Sequence, residues 1–181
     1  MPPVKKKFFH FLGAMKKFVN YCMKEILLYQ LKAVCNKADW FVPLETAIEG
    51  ITPAQAAAKH NQQNNSIEEI VHHLIYWNEL YLNRFKDPVF SFSEISNDET
   101  FKNPFGLTWE QACRKIRNIF DEWINCIDNS EVTRLNSTIP NKGKTWNIMI
   151  CNLISHTAYH TGQIITLRKE YNCWDAAKGV N

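Results

Sequence analysis

The sequence of 181 residues has no long apolar run and no closely spaced pair of cysteines. A membrane-spanning helix needs about 20 consecutive apolar residues, and no segment approaches that length. No stretch alternates apolar and polar residues as a half-buried β-strand does. These absences exclude a membrane-spanning protein and argue against a β-sheet. A chain of this length is expected to form one domain, and the lack of strand patterning favours an all-α fold.

The net charge is also small: the formal charge is +3, and charged residues make up 22% of the chain. This balance argues against a nucleic-acid-binding protein that relies on bulk charge. The excess is concentrated near the start, at Lys5, Lys6, Lys7, Lys16 and Lys17. We expect residues 1–22 to be a basic extension and residues 23–181 to form the domain. The extension would reflect an upstream start codon or form a short extra helix.

The basic start does not resemble an export signal. Two lysines interrupt its short apolar patch, and it lacks the small-residue cleavage site of a signal peptide. The six cysteines include no CxxC pair, and the 45% of apolar residues suffice for a core without disulfides. We therefore expect a cytoplasmic protein with free thiols and with neither a membrane nor a nucleic-acid partner.

Apolar residues recur at helical spacing in four long segments, which are 24–49, 67–86, 109–128 and 146–171. Pro43 is expected to kink or break the first segment, and Gly50 to end it. Ser66 with Glu69 has the spacing of a capping box at the start of the second segment. The same spacing recurs at Thr108 with Gln111 and, for a short helix, at Thr52 with Gln55. Four helices with long connections predict a four-helix bundle, in which a long crossover can carry the chain across one end.

Two histidines, His156 and His160, lie four residues apart in the last segment. On a helix their side chains leave the same side, about 40° apart around the axis. His160 lies within the apolar stripe and His156 at its edge, so both should face other helices. Buried imidazoles need a partner for each nitrogen. The pair can hydrogen-bond separately to neighbours, form an acid–base pair or share a metal ion.

A metal ion would require a third ligand, and the second segment offers His72 and His73. A helical wheel places His73 on the flank of the apolar stripe and His72 nearly opposite that stripe, among glutamates. We therefore expect His73 to point inward and His72 to be solvated or to hydrogen-bond to a ligand. Three neutral imidazoles with an open position suit Zn²⁺ or Ni²⁺. The HExxH protease motif is excluded, since Thr157 follows His156.

Two stretches, "SIEEIVHHLIYWNE" and "HTAYHTGQIITLRKEYNCW", resemble the DinB-like superfamily of metalloenzymes, which includes YfiT-like proteins. The matching positions are Ser66, Glu69, His73, Trp77, His156, His160, Gly162, Gln163, Ile164, Leu167, Arg168, Lys169 and Trp174. The resemblance runs from about Met23 onward. It implies a four-helix bundle, a divalent metal held by His73, His156 and His160, and a homodimer. Thr161 departs from the pattern, because arginine is common there.

Some enzymes related to this family use a low-molecular-weight thiol such as bacillithiol, mycothiol or glutathione. The resemblance therefore implies a metal-dependent transferase or hydrolase with a small-molecule substrate. The alternatives are a noncatalytic, stress-related metal-binding protein and an interaction module in which the histidines only pack. Catalytic residues are not assigned by the sequence. Glu69 or Glu79 could serve as a base, and Tyr76, Trp77 and Tyr159 could line the mouth of a pocket.

Overall fold

The computed structural model describes residue 15 and residues 22–59 and 65–179. In this part of the chain the regular structure is helical, apart from an isolated antiparallel bridge between Thr138 and Thr145. The α-helices are α1 (22–35), α2 (Leu44–Ile48), α3 (Pro53–Ala57), α4 (Ile67–Lys86), α5 (Trp109–Asp128), α6 (Val132–Leu135) and α7 (Trp146–Glu170). Short 3₁₀ helices span Asn97–Phe101 and Ala176–Lys178. The prediction of an all-α bundle is confirmed.

Helices α4 and α5 run parallel to each other. Lys115 binds Glu79 at 2.6 Å, and Lys86 binds Glu122 at 2.8 Å, so the contacts advance in the same direction along both helices. Two consecutive helices can be parallel only when their connection returns along the bundle. Residues 87–108 make that return, so a long crossover is present as predicted, but it runs along α4 rather than across one end of the bundle.

The returning connection lies along α4. Arg84 binds Glu94 at 2.7 Å, and the backbone N–H of Ile95 donates to the Tyr76 hydroxyl at 3.1 Å. The first 3₁₀ helix, which follows, packs against α4. Ser96 and Glu99 begin this helix with a capping box. The crossover therefore places loop residues beside the middle of α4.

Helix α7 is antiparallel to α4. At one end of the pair the rings of Phe85 and Trp146 meet with centroids 5.0 Å apart. Further along, His73 of α4 lies opposite His156 of α7, again with ring centroids 5.0 Å apart. The two helices thus share a buried seam, with aromatic packing at one end and imidazoles near the middle.

The first predicted helix ends earlier than the sequence indicated. Helix α1 stops at residue 35, and Pro43 is instead the N-cap of α2. Asp39 accepts a hydrogen bond from the Tyr29 hydroxyl, which folds the segment back on α1. Trp40 is 90% exposed, so continuing the helix through this stretch would have gained little apolar burial. The break thus precedes the proline. Gly50 follows α2 with φ of +71°, as expected of a helix stop.

Other predictions concern the ends and the cysteines. Except for Met15 and Cys22, the predicted extension 1–22 lies outside the described residues, so its separation from the domain stays a prediction. All six cysteines are free thiols, as expected. Within 22–59 and 65–179, no helix combines the length and apolarity that crossing a membrane requires. The cytoplasmic location stays a prediction.

Candidate metal centre

Helices α4 and α7 bring three histidines together. Nε2 of His156 lies 3.0 Å from Nε2 of His73 and 3.0 Å from Nε2 of His160. One nitrogen from each ring falls within 4.8 Å of the other two. His73 is 3% exposed, His160 is 7% exposed, and His156 is half-buried. The structure thus brings together the three residues that the sequence singled out.

The outer nitrogen of His73 is held by the crossover. His73 Nδ1 lies 2.6 Å from Oγ1 of Thr100, and that hydroxyl donates its own hydrogen to the backbone oxygen of Asn97. Because the single hydroxyl hydrogen is used there, Thr100 Oγ1 accepts from His73. The proton of His73 therefore sits on Nδ1, and its Nε2 presents a lone pair to the cluster.

The outer nitrogen of His160 is held in the same way from within α7. His160 Nδ1 lies 2.6 Å from Oε1 of Gln163, and the amide nitrogen of Gln163 donates to the Tyr159 hydroxyl at 3.2 Å. This second bond fixes the orientation of the amide, so a carbonyl oxygen faces the imidazole. Nδ1 of His160 is therefore the donor, and its Nε2 also presents a lone pair.

With these tautomers, neither His73 nor His160 has a hydrogen on the Nε2 atom that faces His156. A neutral His156 can offer at most one N–H from Nε2, and that hydrogen can lie along only one of the two 3.0 Å contacts, so the other contact has no well-placed hydrogen between its nitrogens. A cation between the three nitrogens removes this conflict. Nitrogens bound at about 2.0–2.1 Å to a tetrahedral ion stand about 3.3 Å apart, which is close to the 3.0 Å of the two pairs that include His156. The donor set therefore fits a divalent metal ion.

Burial keeps the cluster neutral. Desolvation first, and then the neighbouring His156 and His160 as like charges, together lower the pKa of His73 to about 3. Desolvation and His160 lower the pKa of His156 to about 4. The pKa of His160 is lowered by burial against the opposing effect of its bond to Gln163. Neutral imidazole is the form that binds metals, so the site is in its ligating state at neutral pH.

Aromatic rings enclose the cluster. Phe101 stacks on His73 with centroids 4.0 Å apart and planes 9° from parallel. Trp77 meets His73 edge-on at 6.4 Å, and Tyr159 meets His160 edge-on at 5.0 Å. Thr100 and Phe101 were not identified from the sequence, because both lie in the segment interpreted as a loop. The Ser96–Glu99 spacing was the local signal that an ordered turn begins there.

The candidate bases lie elsewhere. The Glu69 carboxylate caps its own helix and binds Lys59 at 2.7 Å. Glu79 binds Lys115 at 2.6 Å. Tyr76 is 1% exposed, so it belongs to the core rather than to a pocket mouth. Neither carboxylate is thus free to act on a substrate at the cluster.

Trp77 and Tyr159 each line a pocket, but not the same one. Trp77 lines a cavity of about 310 Å³ that also reaches His156. Tyr159 is 64% exposed on the neighbouring surface of α7.

Thr161 is buried, and its hydroxyl donates to the backbone oxygen of Thr157 at 2.8 Å. Thr161 thus stands at the position where the sequence pattern commonly has arginine, and its hydroxyl is already hydrogen-bonded within α7.

His72 is not solvated, which corrects the expectation from the helical wheel. It is 1% exposed, and neither ring nitrogen has a hydrogen-bond partner in the described parts of the chain. Its nearest charged neighbour is Glu68, at 3.7 Å. The helical wheel predicted exposure wrongly, because α4 packs against α3, α5, α7 and the crossover. The side of α4 opposite its main apolar stripe is therefore also buried.

The fold and the cluster together define an all-helical bundle with three converging imidazoles at the seam of two antiparallel helices. The sequence model of the DinB superfamily matches residues 43–164, a span that contains all three histidines. The chain belongs to the DinB superfamily. Comparisons with curated proteins and with solved structures found no match.

The lowered pKa values predict acid sensitivity of the metal-free protein. His72, His73 and His156 have folded-state pKa values of about 4, 3 and 4, against about 6.5 when unfolded. The unfolded chain therefore binds more protons below pH 6.5, and stability falls as pH falls through this window. Each ring contributes at most about 1.4 kcal/mol per pH unit. Urea unfolding between neutral pH and about pH 4 measures this slope.

A matched variant separates the histidines from general acid effects. His156→Gln removes one titrating ring and is expected to make the pH dependence shallower. A urea midpoint of the metal-free protein that does not change across the window would contradict the neutral, buried state of the cluster.

Proposed function

We propose that the chain is a metal-dependent enzyme that holds one divalent ion, Zn²⁺ or Ni²⁺, through Nε2 of His73, His156 and His160. The observation that carries the proposal is the pair of fixed tautomers. Thr100 and Gln163 hold the outer protons, so the inner Nε2 atoms of His73 and His160 carry lone pairs, and both lie 3.0 Å from Nε2 of His156. Three neutral nitrogen ligands leave a further position open for a water molecule or a substrate. An ion bound there supplies Lewis-acid chemistry, lowering the pKa of a coordinated water or thiol.

The cavity beside His156 suggests the type of substrate. Among the described residues, its wall consists of aromatic and apolar side chains, two neutral amides and His156, and none of the lining side chains carries a formal charge at neutral pH. The lining residues are Trp77, Tyr81, Asn97, Met149, Asn152, Leu153 and His156. An aromatic wall offers a flat or apolar group a surface to pack on, and the amides can orient a polar substituent. The cavity suits a neutral small molecule.

The surroundings favour a thiol over water as the nucleophile. Glu69 and Glu79 are each paired to a lysine, and within the described residues neither carboxylate bonds to a ring of the cluster. A free thiol has a pKa of about 8.5, whereas that of bulk water is 15.7. The thiol is therefore closer to its anionic form than water is before either is bound to the ion. We infer a transferase that joins a low-molecular-weight thiol to the substrate in the cavity. The homodimer stays a prediction, as does the lack of nucleic-acid and membrane partners.

The role of Thr100 gives a test of the site without substrate. Thr100→Val keeps the shape of the side chain but removes the acceptor of His73 Nδ1–H. Loss of such a ligand-orienting bond lowers metal affinity about 10- to 100-fold. Thr100→Ser keeps the hydroxyl and is expected to bind metal as the parent protein does. Competition with a coloured chelator measures the dissociation constants, and equal affinities in both variants would remove Thr100 from the account.

A conjugation assay tests the chemistry. The metal-loaded protein is mixed with glutathione and a neutral aryl halide, and the thioether is quantified. Sulfur forms a bond to the ring carbon, the halide leaves with the electron pair, and the thiol proton passes to solvent. We expect turnover in the parent protein and in the surface variant Lys178→Gln, and none above background in His156→Ala.

The thiol itself is varied in parallel, with bacillithiol and mycothiol replacing glutathione. Absence of turnover with all three thiols, in protein that retains its metal, would favour the noncatalytic metal-binding alternative over the transferase.

A further inference from the structure

A second cavity lies at the other end of the α4–α7 seam and has a volume of about 240 Å³. It is bordered by the end of α4, by α6 and by the start of α7. Trp146, in its wall, is ten residues from His156, a separation of about 15 Å along a helix. The cavity is therefore separate from the histidine cluster and does not depend on the function proposed for it.

Positive charge dominates the wall of this cavity. Arg84, Arg134 and Lys142 all line it. The nearby carboxylate of Glu94 pairs with Arg84 at 2.7 Å and with Lys142 at 3.5 Å. Glu94 thus forms ion pairs with two of the three cations, so the described part of the wall keeps a net positive charge.

Arg134 is the cation without a carboxylate. Within the described ranges it forms no ion pair, and its Nη2 donates to the backbone oxygen of Phe85 at 2.6 Å. Its guanidinium lies over the rings of Phe85 and Trp146, at 5.0 and 5.4 Å from their centroids. This stacking holds the charged plane in place beside the cavity. A preorganised guanidinium of this kind recognises carboxylate and phosphate oxygens well.

Two buried donors in the same wall also lack acceptors. Neither Arg84 Nη1 nor Trp146 Nε1 has a hydrogen-bond partner in the described structure, and Trp146 is only 1% exposed. A buried N–H without an acceptor is unfavourable and calls for an explanation. Both atoms are covered by protein in this structure, so an acceptor group in the cavity reaches them only after a small shift of the side chains around them. The charge surplus and the unpaired donors therefore point to the same kind of ligand.

We propose that this cavity binds a small oxyanion, namely a phosphate or carboxylate group carried by a compact metabolite. The oxygens meet the guanidinium groups and the Lys142 ammonium, and the indole N–H of Trp146 donates to the same group. The volume limits the ligand to a small molecule. Phe90 and Ile139 also line the cavity and offer apolar contact for the rest of that molecule.

The indole resonance of Trp146 reports binding at this place alone. The ¹⁵N-labelled full-length protein is titrated with inorganic phosphate and, separately, with propionate. The Trp146 signal is assigned with Trp146→Phe. We expect a saturable shift of this signal with at least one of the two anions, and the anion with the lower midpoint identifies the preferred group. Phosphate bound only at the histidine cluster would leave the signal in place.

Three variants test the charged wall. Lys142→Gln and Arg84→Gln each remove a cation and are expected to raise the midpoint about tenfold, the usual effect of losing one charge-assisted partner. Lys178→Gln is the matched control, because Lys178 is 35% exposed and paired to a glutamate, as Lys142 is at 38%. Its midpoint should equal that of the parent protein.

Two results would overturn the proposal. One is a Trp146 signal that neither anion shifts to saturation, which would mean that the cavity holds water only. The other is an equal midpoint in Lys142→Gln and Lys178→Gln, which would mean that the charge of the wall does not bind the anion. Lys142 lies on an exposed loop, so its replacement tests the idea even if Arg84→Gln fails to fold.

Discussion

Two hydrogen bonds decide the character of the histidine cluster. Thr100 and Gln163 keep the protons of His73 and His160 on the outer nitrogens, so the inner lone pairs converge. Each bond depends on a different level of structure. The Gln163 contact is local to one helix, at a spacing of three residues. The Thr100 contact requires the crossover to return along α4, and so it depends on the topology of the bundle.

Without a bound ligand, this arrangement lowers the free energy of unfolding. Converging lone pairs repel one another, and burial removes the option of relieving the conflict by protonation, since the pKa values of His73 and His156 fall to about 3 and 4. A bundle with a large apolar core can tolerate such a site. Local features that conflict with stability are expected where a ligand resolves them. The seam of α4 and α7 shows two such places, because the second cavity also has buried donors without acceptors.

Local sequence signals located the helices whose ends are capped. Ser66 and Thr108 placed the starts of α4 and α5, and the stripe containing His160 gave the inward direction of that ring. Signals of this kind fail where the outcome depends on distant neighbours. The burial of His72 depends on how many helices pack around α4. A helical wheel uses the sequence of one helix and contains no information on its neighbours. The contacts of Thr100 depend on a crossover whose path is set by the whole bundle.

The metal content of the protein tests the central claim most directly. The chain is purified without an affinity tag and without added metal, and its ions are counted by mass spectrometry beside four variants. Parent protein and His72→Gln should hold about one divalent ion per chain, while His73→Ala, His156→Ala and His160→Ala should hold almost none. A parent protein that takes up neither Zn²⁺ nor Ni²⁺ when supplied, or variants that retain the ion, would contradict the account.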